Sequence, residues 1–233
     1  MTRMLVSVRS VDEALIAARG GADFIDLKEP SDGALGGLPV ATIGAIVSAL
    51  RAHGIGLPVS ATIGDLPMHA LGGILAQVDA VGACGVDYVK VGIERGTEAF
   101  AVLDALSACD WPVVPVFVAD HGIDAALVAH ACTLGFPALM ADTADKLAGS
   151  LFDAVPTADL RAFVGRVRGS GRLVGLAGAL RMAHVSLLQS LAPDFAGFRS
   201  AVCVADRKTA LCPERLVALA ASLHGEAVEI ALA

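Results

Sequence analysis

The stretch Ala22-Asp23-Phe24-Ile25-Asp26-Leu27-Lys28 contains the unit from which the fold follows: a short apolar run that ends in a polar side chain just before a glycine-rich segment. Similar runs recur along the chain and alternate with Ala-rich stretches of helical character. This alternation is typical of βα units around a parallel sheet. It predicts strands over residues 4–8, 23–28, 58–63, 88–91, 113–118, 138–141, 173–177 and 195–198.

Helices are predicted after each of these strands, over residues 11–19, 40–52, 70–84, 97–109, 124–134, 157–168, 181–191 and 213–223. Ser10 and Glu13 have the spacing of a capping box at the start of the first helix. Eight such units in 233 residues favour an α/β fold, a single-domain (β/α)8 TIM barrel over residues 1–233. An open doubly wound sheet would more often show fewer strands or a dinucleotide fingerprint, and no such fingerprint or Walker sequence follows the first strand.

The composition restricts the class of partner. A formal charge of −7 and an aromatic content of 4% argue against nucleic-acid and anionic-membrane partners, which require clustered Lys and Arg. No apolar stretch reaches the roughly 18 residues of a membrane helix and the amino end lacks a signal-peptide pattern, so a cytoplasmic location is expected. The 55% hydrophobic content favours a buried interface and hence a homo-oligomer. Five Cys and six His lack metal-ligand spacing, so neither a metal nor another cofactor is expected.

Polar residues close the predicted strands, and in a (β/α)8 barrel that end of each strand carries the active site. Lys28, Lys90, Asp142 and Arg199 end the second, fourth, sixth and eighth strands, and alternate strands contribute side chains to the same layer. Asp26 faces the same way as Lys28, which makes it a candidate partner for that amine. Burial disfavours a charged amine, so Lys28 is a candidate nucleophile toward a carbonyl carbon. Lys90 would then carry protons, and Asp142 would set the charge states.

Each lysine also has a structural interpretation. A single lysine at a strand end is often a surface residue or a member of a structural ion pair, and the pair of lysines with a nearby carboxylate is what favours chemistry. Lys146 lies beyond the sixth strand, where a solvated loop lysine and a third amine of the site fit the sequence equally well. His121, the one histidine near the predicted mouth, is more readily explained as a loop residue.

Two segments are candidate phosphate sites. Gly175, Ala177 and Gly178 lie in a turn after the seventh strand, where backbone amides could approach an anion at the start of a helix. Arg199 and Ser200 follow the eighth strand, and the loops after strands seven and eight form the usual phosphate site of this barrel. Turn glycines alone explain the first segment equally well.

Five ordered motifs span essentially the whole chain. They are Asp26-Leu27-Lys28-Glu29-Pro30 with Gly33-Ala34-Leu35-Gly36, Asp87-Tyr88-Val89-Lys90-Val91-Gly92, Met140-Ala141-Asp142-Thr143 with Lys146, Gly175-Leu176-Ala177-Gly178, and Phe198-Arg199-Ser200-Ala201-Val202-Cys203. Together they resemble one family, the (5-formylfuran-3-yl)methyl phosphate synthases of methanofuran biosynthesis.

The resemblance implies a lyase that condenses two molecules of glyceraldehyde 3-phosphate to (5-formylfuran-3-yl)methyl phosphate, with loss of one phosphate and two waters. It implies that Lys28 forms a Schiff base with the substrate, that Lys90 transfers protons, and that Asp26 and Lys146 assist. Two other functions stay open. One is a class I aldolase that acts on another sugar phosphate, and the other is a non-catalytic barrel that binds a phosphorylated metabolite.

Overall fold

The computed structural model describes residues 1–32, 35–146 and 148–225. Its strands are β1 (Arg3–Val8), β2 (Phe24–Leu27), β3 (Val59–Thr62), β4 (Tyr88–Ile93), β5 (Val113–Val118), β6 (Ala138–Asp142), β7 (Leu173–Leu176) and β8 (Phe195–Phe198). They form a closed parallel barrel in chain order, in which β1 pairs with both β2 and β8. The predicted (β/α)8 barrel is therefore confirmed. Gly33 and Ala34 of the predicted glycine-rich loop lie outside the described residues, as do residues 226–233 of the predicted domain.

Helices follow the strands and cover the outside of the barrel. They are α1 (Val11–Arg19), α2 (Val40–Ala52), α3 (Leu71–Gly82), α4 (Glu98–Ser107), α5 (Ala125–Thr133), α6 (Leu151–Ala154), α7 (Thr157–Gly169), α8 (Val185–Leu191) and α9 (Pro213–His224). Most of the predicted helix ends lie within two residues of these. Across the described ranges, no helix combines the length and apolar character needed to cross a membrane.

The chain between β6 and β8 departs from the predicted pattern in two places. Helix α6 was not predicted; it is a single turn that Ser150 and Asp153 stabilise with a capping box. After β7, the predicted helix over residues 181–191 starts as a 3-10 turn and becomes α-helical only at Val185. The reason lies in the preceding turn, where Gly178 and Ala179 have φ values of 117° and 46° and cannot begin a helix. The predicted start at Arg181 therefore lies four residues before the first α-helical residue, Val185, and the predicted end at Leu191 is confirmed.

Apolar side chains fill the lower half of the barrel interior, toward the amino ends of the strands. The rings of Phe24 and Phe195 lie 5.6 Å apart there, and Leu5, Val114 and Ala138 belong to the same layer. A larger apolar cluster lies between the strands and the helices. The polar residues near the mouth therefore stand on a packed apolar layer, which keeps bulk water from reaching them from below.

The strand register brings polar side chains together above this layer. Ser7 lies opposite Asp26, and Asp26 lies opposite Ser60 on the next strand. Further along, Thr62 lies opposite Lys90. Because each strand is staggered against its neighbour, residues that are far apart in sequence meet at one level of the barrel.

Candidate active site

The carboxylate of Asp142 lies between two lysines. Its Oδ2 is 3.4 Å from Nζ of Lys28, and its Oδ1 accepts a hydrogen bond from Nζ of Lys146. The N–H of Thr143 donates to the same Oδ1 at 2.8 Å, and the carbonyl of Thr143 accepts a hydrogen bond from Lys146. These three charged side chains are all at least nine-tenths buried. One carboxylate thus connects the lysine after β2 with the lysine of the loop after β6.

Asp26 and Lys90 form a second buried ion pair. Nζ of Lys90 is 2.8 Å from Oδ1 of Asp26, while Ser60 donates to Oδ1 at 2.7 Å and Ser7 to Oδ2 at 3.1 Å. The direct partner of Lys28 is therefore Asp142 and not Asp26, which corrects the pairing that the strand pattern predicts. Asp26 and Lys28 project side by side from one strand, whereas the closed barrel brings Lys90 onto Asp26. Lys28 acts on Asp26 only through its charge.

Both carboxylates are held in the charged form. Burial alone would raise the pKa of Asp26, but the charges of Lys90 and Lys28 and the hydrogen bonds from Lys90 and Ser60 outweigh it and lower the pKa. Burial likewise would raise the pKa of Asp142, and the charges of Lys146 and Lys28 lower it below its usual value. The cluster therefore contains three amines and two charged carboxylates. One amine has no carboxylate charge of its own.

Lys146 is an amine with an unusual proton affinity. Burial lowers its pKa from 10.5 to about 8, with the attraction of Asp142 opposing this change and the charge of Lys28 adding to it. About a tenth of the Lys146 side chains are then neutral at pH 7. The interpretation of Lys146 as a solvated loop lysine is wrong, because its side chain is buried against Asp142. Lys146 is the third amine of the cluster.

The small number of lysines in the sequence is a second signal for this site, independent of the positions of residues at strand ends. The chain has four lysines, Lys28, Lys90, Lys146 and Lys208. The first three meet in the cluster, and Lys208 is exposed. Most other cations of this chain are arginines. An arginine keeps its proton, whereas the amine of a lysine can lose one, so the residue type suited to amine chemistry is concentrated in the cluster.

Leu35 and Gly36, in the loop after β2, lie over the mouth of the barrel. Leu35 is buried beside Gly92, where an added Cβ would lie 2.8 Å from the Leu35 side chain. The N–H of Leu35 donates to the carboxylate of Asp65 at 3.1 Å, and Thr62 donates to the carbonyl of Gly36 at 2.8 Å. These contacts hold both the backbone and an apolar side chain of the loop above the lysines, which limits the access of water to them.

The turn after β7 provides only part of the predicted phosphate site. Gly175 lies in the interior, where a Cβ would be 2.2 Å from the ring of Phe195, so packing explains this glycine. The N–H of Ala177 already donates to the carbonyl of Ala141 at 2.8 Å. Gly178 differs, since it faces the lysine cluster. The N–H groups of residues 178–180 donate to no acceptor within the described ranges, which leaves them available to an anion.

Arg199 has no free donor for a phosphate. Its Nη1 and Nη2 form two hydrogen bonds with the buried carboxylate of Glu13, at 2.5 and 3.0 Å. The remaining three N–H groups donate to the carbonyls of Ser7, Arg207 and Thr209, at 3.1, 2.8 and 2.9 Å. Since a guanidinium has five N–H donors, all of them are occupied. A phosphate contact from Arg199 would require that one of these bonds break, and the geometry argues for a structural role.

A small cavity, called here the inner cavity, lies above the cluster. Its volume is about 40 Å³, and Lys28, Lys90, Lys146, Ser200 and Arg207 are among the residues that line it. The hydroxyl of Ser200 has no hydrogen-bond partner in the described part of the chain, so it can contact a ligand. Arg207 was missed in the sequence because it lies in a long loop, nine residues after the end of β8, where no strand-end pattern applies.

Two larger cavities lie further out. The outer cavity, of about 730 Å³, shares Lys146 and Arg207 with the inner one. The side cavity, of about 690 Å³, is lined by residues that include Asp120 and His121. Asp120 accepts hydrogen bonds from two backbone N–H groups of the loop after β6, and the carbonyl of His121 accepts one from Arg95. These contacts hold the loops in place.

Across residues 1–32, 35–146 and 148–225, no three His, Cys, Asp or Glu side chains group as a metal site.

The fold and the site together define a (β/α)8-barrel enzyme with a buried cluster of lysines and carboxylates at the carboxyl ends of its strands. The family model of 4-HFC-P synthase matches residues 4–220, and the chain belongs to this family. The resemblance predicted from the motifs is thus confirmed.

Named relatives cover almost the whole chain. The (5-formylfuran-3-yl)methyl phosphate synthase of Archaeoglobus fulgidus is 34% identical over 237 residues, which cover 96% of this chain and 100% of that protein. The enzyme of the same name from Methanosarcina mazei is 31% identical over 236 residues, covering 94% of this chain and 98% of the relative. The 3-hexulose-6-phosphate synthase of Salmonella typhimurium superposes with a TM-score of 0.67 at 16% identity, covering 97% of this chain and 100% of that one. This last likeness shows the fold alone.

Proposed function

We propose that this protein condenses two molecules of glyceraldehyde 3-phosphate to (5-formylfuran-3-yl)methyl phosphate, and that Lys28 forms a Schiff base during the reaction. The observation that carries the proposal is the buried cluster of three lysines on two carboxylates in a chain of this family. The balance of the reaction is simple: two three-carbon units supply the six carbons, and one phosphate and two waters leave.

The amine of Lys28 attacks the carbonyl carbon of one substrate, and loss of water gives an iminium. This step needs Lys28 without its extra proton. Asp142 contacts both Lys28 and Lys146, so a proton can pass between these amines along a single carboxylate. Lys146, with a pKa of about 8, is able both to accept and to release a proton near neutral pH.

The iminium withdraws electrons and makes the adjacent C–H bond acidic. Removal of that proton gives an enamine, whose carbon attacks the aldehyde of the second substrate and forms the new carbon–carbon bond. Elimination of phosphate, ring closure and loss of water follow, the carbon–nitrogen bond to Lys28 breaks to release the product and restore the amine, and each step moves a proton. Lys90 would carry some of these transfers: it lines the inner cavity, and its ammonium pairs with Asp26, whose carboxylate accepts hydrogen bonds from Ser60 and Ser7.

The same geometry would serve a class I aldolase, but that reaction releases no inorganic phosphate. The experiment therefore combines two readouts. Wild-type protein is incubated with glyceraldehyde 3-phosphate, and both released phosphate and the absorbance of a furan aldehyde are followed. In parallel, the mixture is reduced with borohydride and the modified peptide is mapped by mass spectrometry. We expect phosphate and furan to appear together and the adduct to be on Lys28.

Lys28→Arg is the informative variant, since arginine keeps a cation beside Asp142 but forms no stable iminium. It should fold, trap no substrate and make no product. Lys90→Arg should keep the adduct on Lys28 while turnover falls by about 100-fold or more, the size of a general acid–base contribution. An adduct on Lys90 or Lys146 in the wild type would move the nucleophile to that residue. An adduct without phosphate release would favour the aldolase.

A further inference from the structure

Among the five cationic side chains that line the inner cavity, one lacks a carboxylate partner. Lys28 and Lys146 contact Asp142, Lys90 contacts Asp26, and Arg199 contacts Glu13. Arg207 is the fifth, and its guanidinium makes no hydrogen bond or ion pair with any described residue.

The guanidinium of Arg207 is nevertheless half-buried. Burial and the charge of Arg199 lower its pKa, and the charges of Asp142, Glu29 and Asp65, none of which forms an ion pair with it, compensate only in part. A partly buried cation whose donors are all unused is costly, because water is removed from it and no protein group replaces that water. Such a group is expected where a ligand of opposite charge supplies the missing partner.

Arg207 lies at the boundary between the inner and the outer cavity. The inner cavity, at about 40 Å³, has room for roughly three water-sized groups. It can take a carbonyl carbon at Lys28 but not an entire triose phosphate. The remainder of such a substrate must extend past Arg207 toward the outer cavity, which places a charged end group beside this guanidinium.

The loop that carries Arg207 is built to hold it. The carbonyl of Arg207 accepts a hydrogen bond from Nε of Arg199, and the carbonyl of Thr209 accepts one from Nη2 of the same side chain. Asp206 accepts a hydrogen bond from the N–H of Lys208 at 2.8 Å, which tightens the turn. Arg199 is in turn fixed by the buried carboxylate of Glu13. The backbone around Arg207 is thus fixed while its side chain stays unpaired.

We propose that Arg207 binds the phosphate group of the substrate, and that Arg199 is the positioning residue that holds the Arg207 loop. A guanidinium offers two parallel N–H donors to two phosphate oxygens. The hydroxyl of Ser200 and the free N–H groups of residues 178–180 line the same cavity and complete the set of donors. The identity of the ligand as a sugar phosphate rests on the proposed function; the anion site rests on the geometry.

The test uses the full chain and three variants: Arg207→Ala, Arg207→Lys and Lys208→Ala. Lys208 is the neighbouring-charge control, since it is the next cation in sequence, its side chain is exposed, and it lines the outer cavity but not the inner one. Inorganic phosphate is titrated into each protein in a calorimeter. We expect Arg207→Ala to raise the Kd by about 10- to 100-fold, the loss of a hydrogen bond to a charged group. Arg207→Lys should recover part of the affinity, and Lys208→Ala should change it by about 2-fold at most.

A second readout separates the anion site from the chemistry at Lys28. Borohydride trapping is measured with glyceraldehyde 3-phosphate and with unphosphorylated glyceraldehyde. Arg207→Ala should slow trapping of the first by a similar factor at low concentration and leave that of the second unchanged. Equal slowing of both aldehydes, unchanged phosphate affinity, or an equal effect of Lys208→Ala would overturn the proposal. If the wild type traps neither aldehyde, the proposed function fails, and the phosphate titration still decides the role of Arg207.

Discussion

Replacement of Lys146 by methionine tests the electrostatics of the site, because it removes the excess amine and keeps most of the length of the side chain. The folded-state pKa of Lys146 is about 8, well below the ordinary value of 10.5 that the unfolded chain has. Between these two values the unfolded chain binds more protons at this residue than the folded chain. The free energy of unfolding that Lys146 contributes must therefore rise with pH over this window.

The size of the effect follows from the shift. A pKa difference of about 2.5 units corresponds to about 3 kcal/mol in total. Integrated from pH 7, the gain is about 1 kcal/mol by pH 9 and about 2.5 kcal/mol by pH 10. At neutral pH, Lys146 thus destabilises the fold relative to its own neutral form, and Lys146→Met should remove this dependence.

The assay is urea denaturation of the wild type and of Lys146→Met between pH 7 and pH 10. The difference between the two free energies of unfolding is the useful quantity, since the titration of all other groups largely cancels. It should change in favour of the wild type as the pH rises. Lys208→Met, which alters an exposed lysine outside the cluster, is the control for this substitution. A flat difference for Lys146→Met would show that this amine has an ordinary pKa, and the proton route through Asp142 would lose its support.

Three further variants test the parts around this amine. Asp142→Asn should lower the free energy of unfolding by about 3 to 5 kcal/mol, because it leaves two buried cations without their carboxylate, and an isothermal urea titration that shows no loss would contradict the pairing. Glu13→Gln should cost a similar amount and also weaken phosphate binding, whereas Asp12→Asn on the exposed side of the same helix should do neither. Gly178→Ala should destabilise by about 1 to 3 kcal/mol, since φ is 117° and the new Cβ would lie 2.9 Å from the hydroxyl of Thr143. Its control is Gly165→Ala, where the Cβ meets nothing within 4 Å, and thermal melts that rank these two substitutions in the opposite order would refute the strain.

Most of the fold could be predicted because local sequence signals mark the ends of each strand and helix. Apolar runs of four to six residues, capping residues and turn glycines act locally, and β5 and α2 have the bounds that these signals predict. The prediction of a helix start fails where the backbone conformation does not follow from the local sequence. In the turn after β7, two consecutive residues with positive φ delay the helix, and only one of them is a glycine. The left-handed conformation of Ala179 could not be read from its side chain.

The sequence identifies the residues of the site better than it identifies which carboxylate pairs with which amine. Strand-end position is a local property, so Lys28, Lys90 and Asp142 could be found one by one. Which carboxylate meets which amine depends on the stagger of the closed barrel, and this is why Asp26 pairs with Lys90. The ion pair of Arg199 could not be predicted for the same reason: its partner Glu13 is 186 residues away in sequence and carries no strand-end signal.

The count of charges gives a reason for the third amine. In the proposed reaction, Lys28 changes from an ammonium to an iminium, and both carry one positive charge. Asp142 would have a cation beside it in both of these states, whereas the attacking amine and the enamine are neutral, and in those steps Lys146 would be the cation that faces its buried charge. The proton that Lys28 must lose before it attacks cannot stay on Asp142, whose pKa is lowered by the charges of the lysines around it. This proton needs a base inside the same buried cluster. In a cluster of only two amines and two carboxylates, every amine would be held in an ion pair, and none could accept the proton without breaking that pair. In the proposed reaction, the excess amine, with a pKa of about 8, would take up this proton and allow the nucleophile to be regenerated without opening the site to water.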